Sequence, residues 1–214
     1  MKLKYLNLNL IIHIMFNELL NENKLVQQSY DKIANEFEKT RVFTWKWTDE
    51  FINNLKSDSF VLDIGCGTGR NLKYKNVNIT GIDISIEQLK KCKSNNIHCD
   101  MTLIPFRDNT FDNIISIASF HHLSNIERRH KCLSEMKRII KKDARILMSV
   151  WSINQPEKTR RKFIKYGDTI VNWKQVPRYY YIFEINELKN LLLEYFKINK
   201  HFWDCGNEIF ILQN

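Results

Sequence analysis

Val61-Leu62-Asp63-Ile64-Gly65-Cys66-Gly67-Thr68-Gly69 decides the fold: an apolar strand that ends in three glycines at alternate positions. Glycine there lets the backbone turn sharply and approach a ligand closely, and the pattern predicts a helix N-terminus behind the turn. The spacing is G-x-G-x-G, whereas a dinucleotide fingerprint needs G-x-G-x-x-G, which disfavours a nicotinamide or flavin cofactor. The next strand, Thr80-Gly81-Ile82-Asp83, ends in an acid twenty positions after Asp63, where a carboxylate can accept from both hydroxyls of a ribose. Asp63 is expected beneath the loop, holding backbone N–H groups or a ligand ammonium, and Asp100 beside a nucleobase. Any one of these acids alone reads as a helix cap; with the glycine turn they describe a nucleoside site.

Outward from this loop the chain alternates strands and helices. Strands are predicted at Phe60 to Ile64, Asn78 to Ile82, Ile97 to Cys99, Asn113 to Ala118, Arg145 to Val150, Ile198 to Phe202 and Glu208 to Leu212. Capping boxes at Ser85-Ile86-Glu87-Gln88 and Ser124-Asn125-Ile126-Glu127 start two of the helices. Val26, Tyr30, Ile33 and Phe37 recur at helical spacing upstream, an aromatic stretch (Phe43, Trp45, Trp47) follows, and a second helix runs from about Asp49 to Leu55. Such alternation implies a mainly parallel sheet covered on both faces.

The length of 214 residues suits one domain, divided as an N-terminal extension over 1–17 and a single domain over 18–214. With 43% hydrophobic and 27% charged residues, the composition excludes a disordered chain. The first residues are interrupted by Asn7, Asn9 and His13, too polar for a spanning helix, and a soluble protein is expected. Five cysteines without CxxC spacing predict no metal site and a reducing compartment, the cytoplasm or the nucleus. A net charge of +9 suits a polyanionic partner. One basic cluster comprises Arg128, Arg129, Lys131, Lys137, Arg138, Lys141, Lys142 and Arg145; a second, with almost no acids, comprises Lys158, Arg160, Arg161, Lys162 and Lys165.

The glycine loop with Asp63, Asp83 and Asp100 resembles the S-adenosylmethionine site of class I methyltransferases. The resemblance implies a Rossmann-like α/β fold with a seven-stranded, mostly parallel sheet and helices on both faces. It places Asp63, Gly65, Cys66, Gly67, Gly69, Asp83, Ile84, Asp100, Met101 and Ala118 at the cofactor. The chain has no Pro-Cys pair and no Asn/Asp-Pro-Pro-Tyr/Phe sequence, so ring-carbon and amino-group methylation are not indicated. Ser119-Phe120-His121-His122 with Glu127-Arg128-Arg129 is instead similar to the tRNA wobble-uridine carboxymethyl methyltransferases. Tyr30-Asp31-Lys32-Ile33-Ala34, Thr40-Arg41, Pro105-Phe106, Val150-Trp151, Arg178-Tyr179-Tyr180-Tyr181 and Asp204-Cys205-Gly206-Asn207 agree with the same family. Lys141-Lys142-Asp143-Ala144 departs from its Lys-Pro-Gly-Gly turn, so an altered turn is expected there.

That family esterifies 5-carboxymethyluridine, using the tRNA anticodon stem-loop as substrate and a small zinc-binding activator subunit as partner. The resemblance implies the same partners, with the activator adding a strand beside Ile97 to Cys99. A carboxylate is ionised at neutral pH, so methyl transfer onto it needs alignment and a cation but no general base. Arg41 is the first candidate for that cation, with His122 and Arg178 second; His121 and His122 are not separable from sequence. Tyr179 and Tyr180 read equally as core aromatics or as rings for a flipped base. A small-molecule methyltransferase of the quinone or sterol type, and a silent RNA-binding subunit, are the alternatives.

Overall fold

The computed structural model describes residues 22–40, 43–157, 163 and 165–214. Nine strands appear among them: β1 Phe60–Ile64, β2 Asn78–Asp83, β3 Asn96–His98, β4 Phe111–Ile117, β5 Ile140–Trp151, β6 Gly167–Trp173, β7 Val176–Ile182, β8 Lys197–Asp204 and β9 Asn207–Gln213. The helices are α1 Gln28–Thr40, α2 Lys46–Asn53, α3 Ile86–Leu89, α4 Ile126–Ile139 and α5 Ile185–Leu193, with a π-helical turn, Asn23–Gln27, before α1. The main sheet has the order β3-β2-β1-β4-β5-β9-β8. Its first five strands are parallel, and β9 runs antiparallel to both neighbours. All seven strands expected from the sequence lie in this sheet. None of the helices among the described residues is long and apolar enough to cross a membrane.

Period-two alternation in the strands builds two cores. Leu62, Ile64 and Ile114 pack with Leu133 and Met136 of α4 and Leu188 and Leu192 of α5. Val61, Ile115 and Ile117 pack on the opposite face with Phe51 and Ile52 of α2. Strand order reverses between β1 and β4, and a crevice opens at such a switch point beyond the carboxyl ends of the strands.

Two local expectations change, and the altered geometry expected at Lys141 to Ala144 is found. The chain after the glycine loop forms turns through Lys73, not a helix. Gly69, at φ 83°, is left-handed there, which breaks helical propagation. The cap of α4 is Asn125, whose side chain accepts from the Arg128 N–H at 2.8 Å, one residue beyond the predicted Ser124. Lys141 to Ala144 bulge out of β5 opposite a register shift in β4, with Asp143 at φ 62° in place of a glycine.

The hairpin β6–β7 was not expected. Its turn residues Lys174 and Gln175 sit at φ 49° and 67°, the left-handed pair of a two-residue hairpin that Asn-Gly normally fills. The hairpin and α3 hold α1 between them. Ser29 Oγ donates to the Pro177 carbonyl at 2.6 Å, and on the other side Ser85 Oγ donates to Asp31 Oδ1 at 2.6 Å.

Candidate active site

A cleft of about 460 Å³ opens at the carboxyl end of the parallel strands, with α1 along it. Gly65 and Gly67 take φ of 76° and 54°, and a Cβ at Gly65 would lie 2.4 Å from the Cβ of Ser119. Only glycine fits that turn. Asp83 ties it to the next loop: Oδ2 accepts from the Gly67 N–H and Oδ1 from the Ser85 N–H, each at 2.8 Å. Burial raises its pKa, and the carboxylate, which lines the cleft, keeps capacity to accept from a ligand hydroxyl.

Asp63 is fully buried and stands behind the cleft, not in its wall. It holds no loop N–H; its Oδ2 accepts from Asn71 Nδ2 at 3.2 Å, and Asn71 reaches the cleft. Burial pushes the Asp63 carboxyl up to about 7. Gly69 is also absent from the cleft wall: a Cβ there would meet Cys92 Sγ at 2.4 Å, so this glycine serves packing. Gly65, Cys66, Gly67, Asp83, Ile84, Asp100, Met101 and Ala118 all line the cleft.

Asp100 is already engaged. Its Oδ1 accepts from the Thr102 N–H at 2.8 Å and Thr102 Oγ1 at 2.9 Å, and Oδ2 pairs with Arg128 Nη2 at 2.7 Å. Burial works against its charge, but Arg128 and Thr102 outweigh it and hold the carboxyl below the usual range. Arg128 Nε in turn faces Glu22 Oε2 at 2.7 Å, pinning the start of the π-helical turn over this end of the cleft.

The fit of S-adenosylmethionine can be tested on these atoms. Asn71 and Gln88 line the cleft, and Asn71 Oδ1, Gln88 Oε1 and, behind them, Asp63 Oδ1 are buried acceptors without a partner among the described residues. Buried acceptors of this kind call for donors. The ammonium and ribose hydroxyls of S-adenosylmethionine are such donors, and a Cβ at Gly67 would meet nothing nearer than Gln88 Oε1 at 3.6 Å, leaving the cradle open. Asp83, Asn71, Gln88 and the glycine turn would hold the cofactor, with Cys99, Asp100 and Met101 at its adenine.

The other end of the cleft has the opposite polarity. Ala118, at φ 55°, turns the chain out of β4 into a 3₁₀ turn, Phe120–His122, which directs His122 to the cleft. His122 Nδ1 lies 2.7 Å from the Tyr179 carbonyl, which only accepts, so the ring proton is on Nδ1. Nε2 then accepts from the Tyr30 hydroxyl at 3.0 Å. Burial, together with the nearby Arg178 charge, lowers the His122 pKa to about 3, so it is a neutral ring and not the expected cation.

Arg178 is the cation here. It is 4% exposed, lines the cleft, and lies among the rings of Tyr30, Trp151, Trp173 and Tyr180, with its Cζ 5.3 to 5.9 Å from their centroids. Nη1 donates to the Tyr30 hydroxyl at 3.4 Å, while Nε has no partner and no carboxylate is ion-paired with it among the described residues. Arg41 lies outside the described residues.

His121 faces inward, its Nδ1 accepting from the Trp151 N–H at 2.9 Å. Tyr180 is stacked on Trp151 at 4.1 Å, and Tyr179 donates to Asp168 at 2.6 Å; both are core aromatics, unable to stack on a base. The first basic cluster is not one surface. Arg128 is paired as above, Arg129 is buried over Tyr181 at 3.5 Å, Arg138 pairs with Glu135 and Asp108, and Lys141 pairs with Asp112. Of the second cluster only Lys165 is among the described residues. Tyr30, Asn71 and Gln88 carry no site role in the sequence reading, because only their neighbours in space reveal one.

Fold and cleft together define a Rossmann-like methyltransferase domain, and residues 62–148 match the family model for a methyltransferase domain. A tRNA (carboxymethyluridine(34)-5-O)-methyltransferase of Schizosaccharomyces pombe is 36% identical over 170 residues, covering 77% of this chain and 74% of that protein. The enzyme of the same name from Xenopus tropicalis, alkbh8, is 35% identical over 153 residues, 69% of this chain; the match spans only 24% of that longer protein. The chain belongs to the tRNA (carboxymethyluridine(34)-5-O)-methyltransferase family.

Among solved structures, a SAM-dependent methyltransferase of Methanosarcina mazei superposes with a TM-score of 0.65 at 20% identity, covering 80% of this chain and 98% of its own. A Haloferax volcanii complex of a methyltransferase with the Trm112 methyltransferase activator gives 0.63 at 14% identity, covering 86% of this chain and 96% of the matched one. Both likenesses concern the fold.

Proposed function

We propose that this protein transfers a methyl group from S-adenosylmethionine onto the carboxylate of 5-carboxymethyluridine at the tRNA wobble position, giving the methyl ester. The carrying observation is Arg178, a buried guanidinium in the cleft with no carboxylate partner among the described residues. A buried charge of this kind is costly unless an anion meets it, and a guanidinium grips a carboxylate through two parallel N–H bonds.

His122 supports the same acceptor. An imidazole whose pKa is lowered to about 3 by burial is too weak a base to deprotonate a hydroxyl or amine at neutral pH. A carboxylate needs no such help. When bound, S-adenosylmethionine supplies a methyl group on a positively charged sulfur. Arg178 holds the acceptor oxygen in line with that carbon, and Tyr30, Trp151 and Tyr180 exclude water around it.

The relatives' names supply the tRNA substrate. A zinc-binding activator related to the one in the Haloferax complex is the proposed partner, docked on β3, the edge strand, beside exposed Ile97 and Leu103. The test is co-expression with such an activator, followed by reaction with methyl-labelled cofactor and tRNA carrying 5-carboxymethyluridine. Mass spectrometry of the digested nucleosides should find labelled ester on the wobble uridine. Cofactor binding without label on any tRNA nucleoside would overturn the assignment.

A further inference from the structure

Phe43 is the most exposed large hydrophobic side chain among the described residues, at 84%, and it stands in the wall of the cleft. The chain that follows it is anchored. The Phe43 carbonyl accepts from Arg70 Nη1 at 3.5 Å, and the next residue, Thr44, donates through Oγ1 to Asp49 Oδ1 at 2.5 Å, an acceptor that the Tyr74 hydroxyl also reaches. Trp45 stacks on Trp47, centroids 5.8 Å apart and planes 11° apart, and Trp47 Nε1 donates to Asp204 Oδ2 at 3.1 Å. A strap fixed at these points presents a bare aromatic ring to the cleft instead of burying it.

Phe37 also lines the cleft, and its ring packs against two of the rings around Arg178. Its ring meets Tyr30 edge to face at 5.5 Å and Trp173 at 6.0 Å, and those two rings flank the guanidinium at 5.7 and 5.9 Å. The carboxylate of the acceptor is only two bonds from its pyrimidine ring, so an acceptor held on Arg178 keeps its base in the cleft that Phe37 and Phe43 also line. Tyr179 and Tyr180, the alternatives on β7, are buried.

We propose that Phe43 is the platform on which the pyrimidine of the acceptor nucleoside stacks while Arg178 holds its carboxylate. This rests on the function proposed above. Stacking accepts any base, so the platform contributes affinity and alignment, while Arg178 selects the carboxymethyl group.

The test compares wild type with F43A, F43L and F43W, using an anticodon stem-loop bearing 5-carboxymethyluridine. Its readouts are kcat, KM, direct stem-loop binding by fluorescence anisotropy, S-adenosylhomocysteine affinity and melting temperature. F43A should raise KM and weaken stem-loop binding by about tenfold or more, with cofactor affinity and melting temperature unchanged. F43W should stay near wild type and F43L should resemble F43A. Equal stem-loop binding by F43A and wild type overturns the platform, as does an F43L variant as good as wild type, or a loss confined to the cofactor. If wild type forms no ester, the functional reading fails separately, and the binding comparison still decides the role of Phe43.

Discussion

The Tyr30 hydroxyl donates to His122 Nε2 at 3.0 Å and accepts from Arg178 Nη1 at 3.4 Å, so α1, the turn after β4 and β7 meet on one oxygen atom. Tyr180 lies 3.1 Å from the same oxygen and, with the Tyr30 proton committed to His122, is the donor. This network fixes His122 as a neutral tautomer and leaves Arg178 as the charged group at this end of the cleft.

The pH dependence of turnover follows. With His122 lowered to about 3 and the acceptor carboxylate near its ordinary value of about 4, neither changes charge between pH 6 and 8. The kcat at saturating cofactor should be flat over that interval. A limb near pH 6.5 that disappears in His122→Asn would show the imidazole acting as a base.

Replacing Arg178 separates a site cation from a structural one. Arg178→Met keeps much of the volume among Tyr30, Trp151 and Tyr180 but removes the charge. Hydrogen bonds to a charged group contribute about 1.5–3 kcal/mol, so kcat/KM for the modified tRNA should fall at least tenfold. The melting temperature should hold or rise, because a buried charge without a carboxylate partner is removed. A marked loss of stability with activity retained would make Arg178 structural.

Arg129 tests the reassignment of the first basic cluster. Its Nε donates to the Leu123 carbonyl at 3.2 Å and its guanidinium covers Tyr181, so it is core and not phosphate-binding surface. Arg129→Ala should destabilise the fold by about 2–3 kcal/mol in urea titration. The dependence of tRNA binding on salt should not change, whereas loss of a phosphate contact would reduce that slope by nearly one.

What sequence could reach divides along physical lines. The strands of the main sheet were legible because burial on both faces demands continuous apolar runs such as Val61, Leu62 and Ile64. The glycine loop and Asp83 were legible because turn geometry restricts residue type. The hairpin was not, since Lys174-Gln175 carries none of the turn chemistry its left-handed angles normally require. The roles of Asn71, Gln88 and Tyr30 depend on partners far along the chain, as with Tyr30 and Arg178, and spacing cannot show them. Charge counting misjudged Arg128, Arg129 and Arg138, because it ignores the internal carboxylates and rings that engage them.

The edge of β3 supplies a further test. Leu103 is 71% exposed and Ile97 lies on the strand whose outer side has no neighbour in the sheet. An apolar side chain beside an unpaired edge invites strand addition, and a charge there prevents it. Leu103→Glu with Ile97→Lys should abolish co-purification with the activator while S-adenosylhomocysteine binding by the chain persists. Undiminished co-purification would move the partner to another face.

Asp63 predicts how stability responds to pH in the absence of cofactor. Its carboxyl is pushed up to about 7 by burial, against an unfolded value of about 3.9, so between these limits the folded state binds the proton more tightly. The contribution is full below pH 4, is lost as pH rises toward 7, and above that the buried carboxylate opposes folding. Stability should therefore fall by up to about 1.4 kcal/mol per pH unit over that range through this group. Asp63→Asn, which keeps an acceptor for Asn71 Nδ2, should flatten the melting temperature between pH 5 and 7.5 relative to wild type. An α-ammonium beyond Asn71 favours the ionised form, so S-adenosylhomocysteine, bound with its ammonium there, should bind more tightly at pH 8 than at pH 6 and release a proton on binding at pH 6.5. Titration calorimetry in two buffers of different ionisation enthalpy reads that proton directly, and its absence would show that Asp63 is already ionised in the free protein.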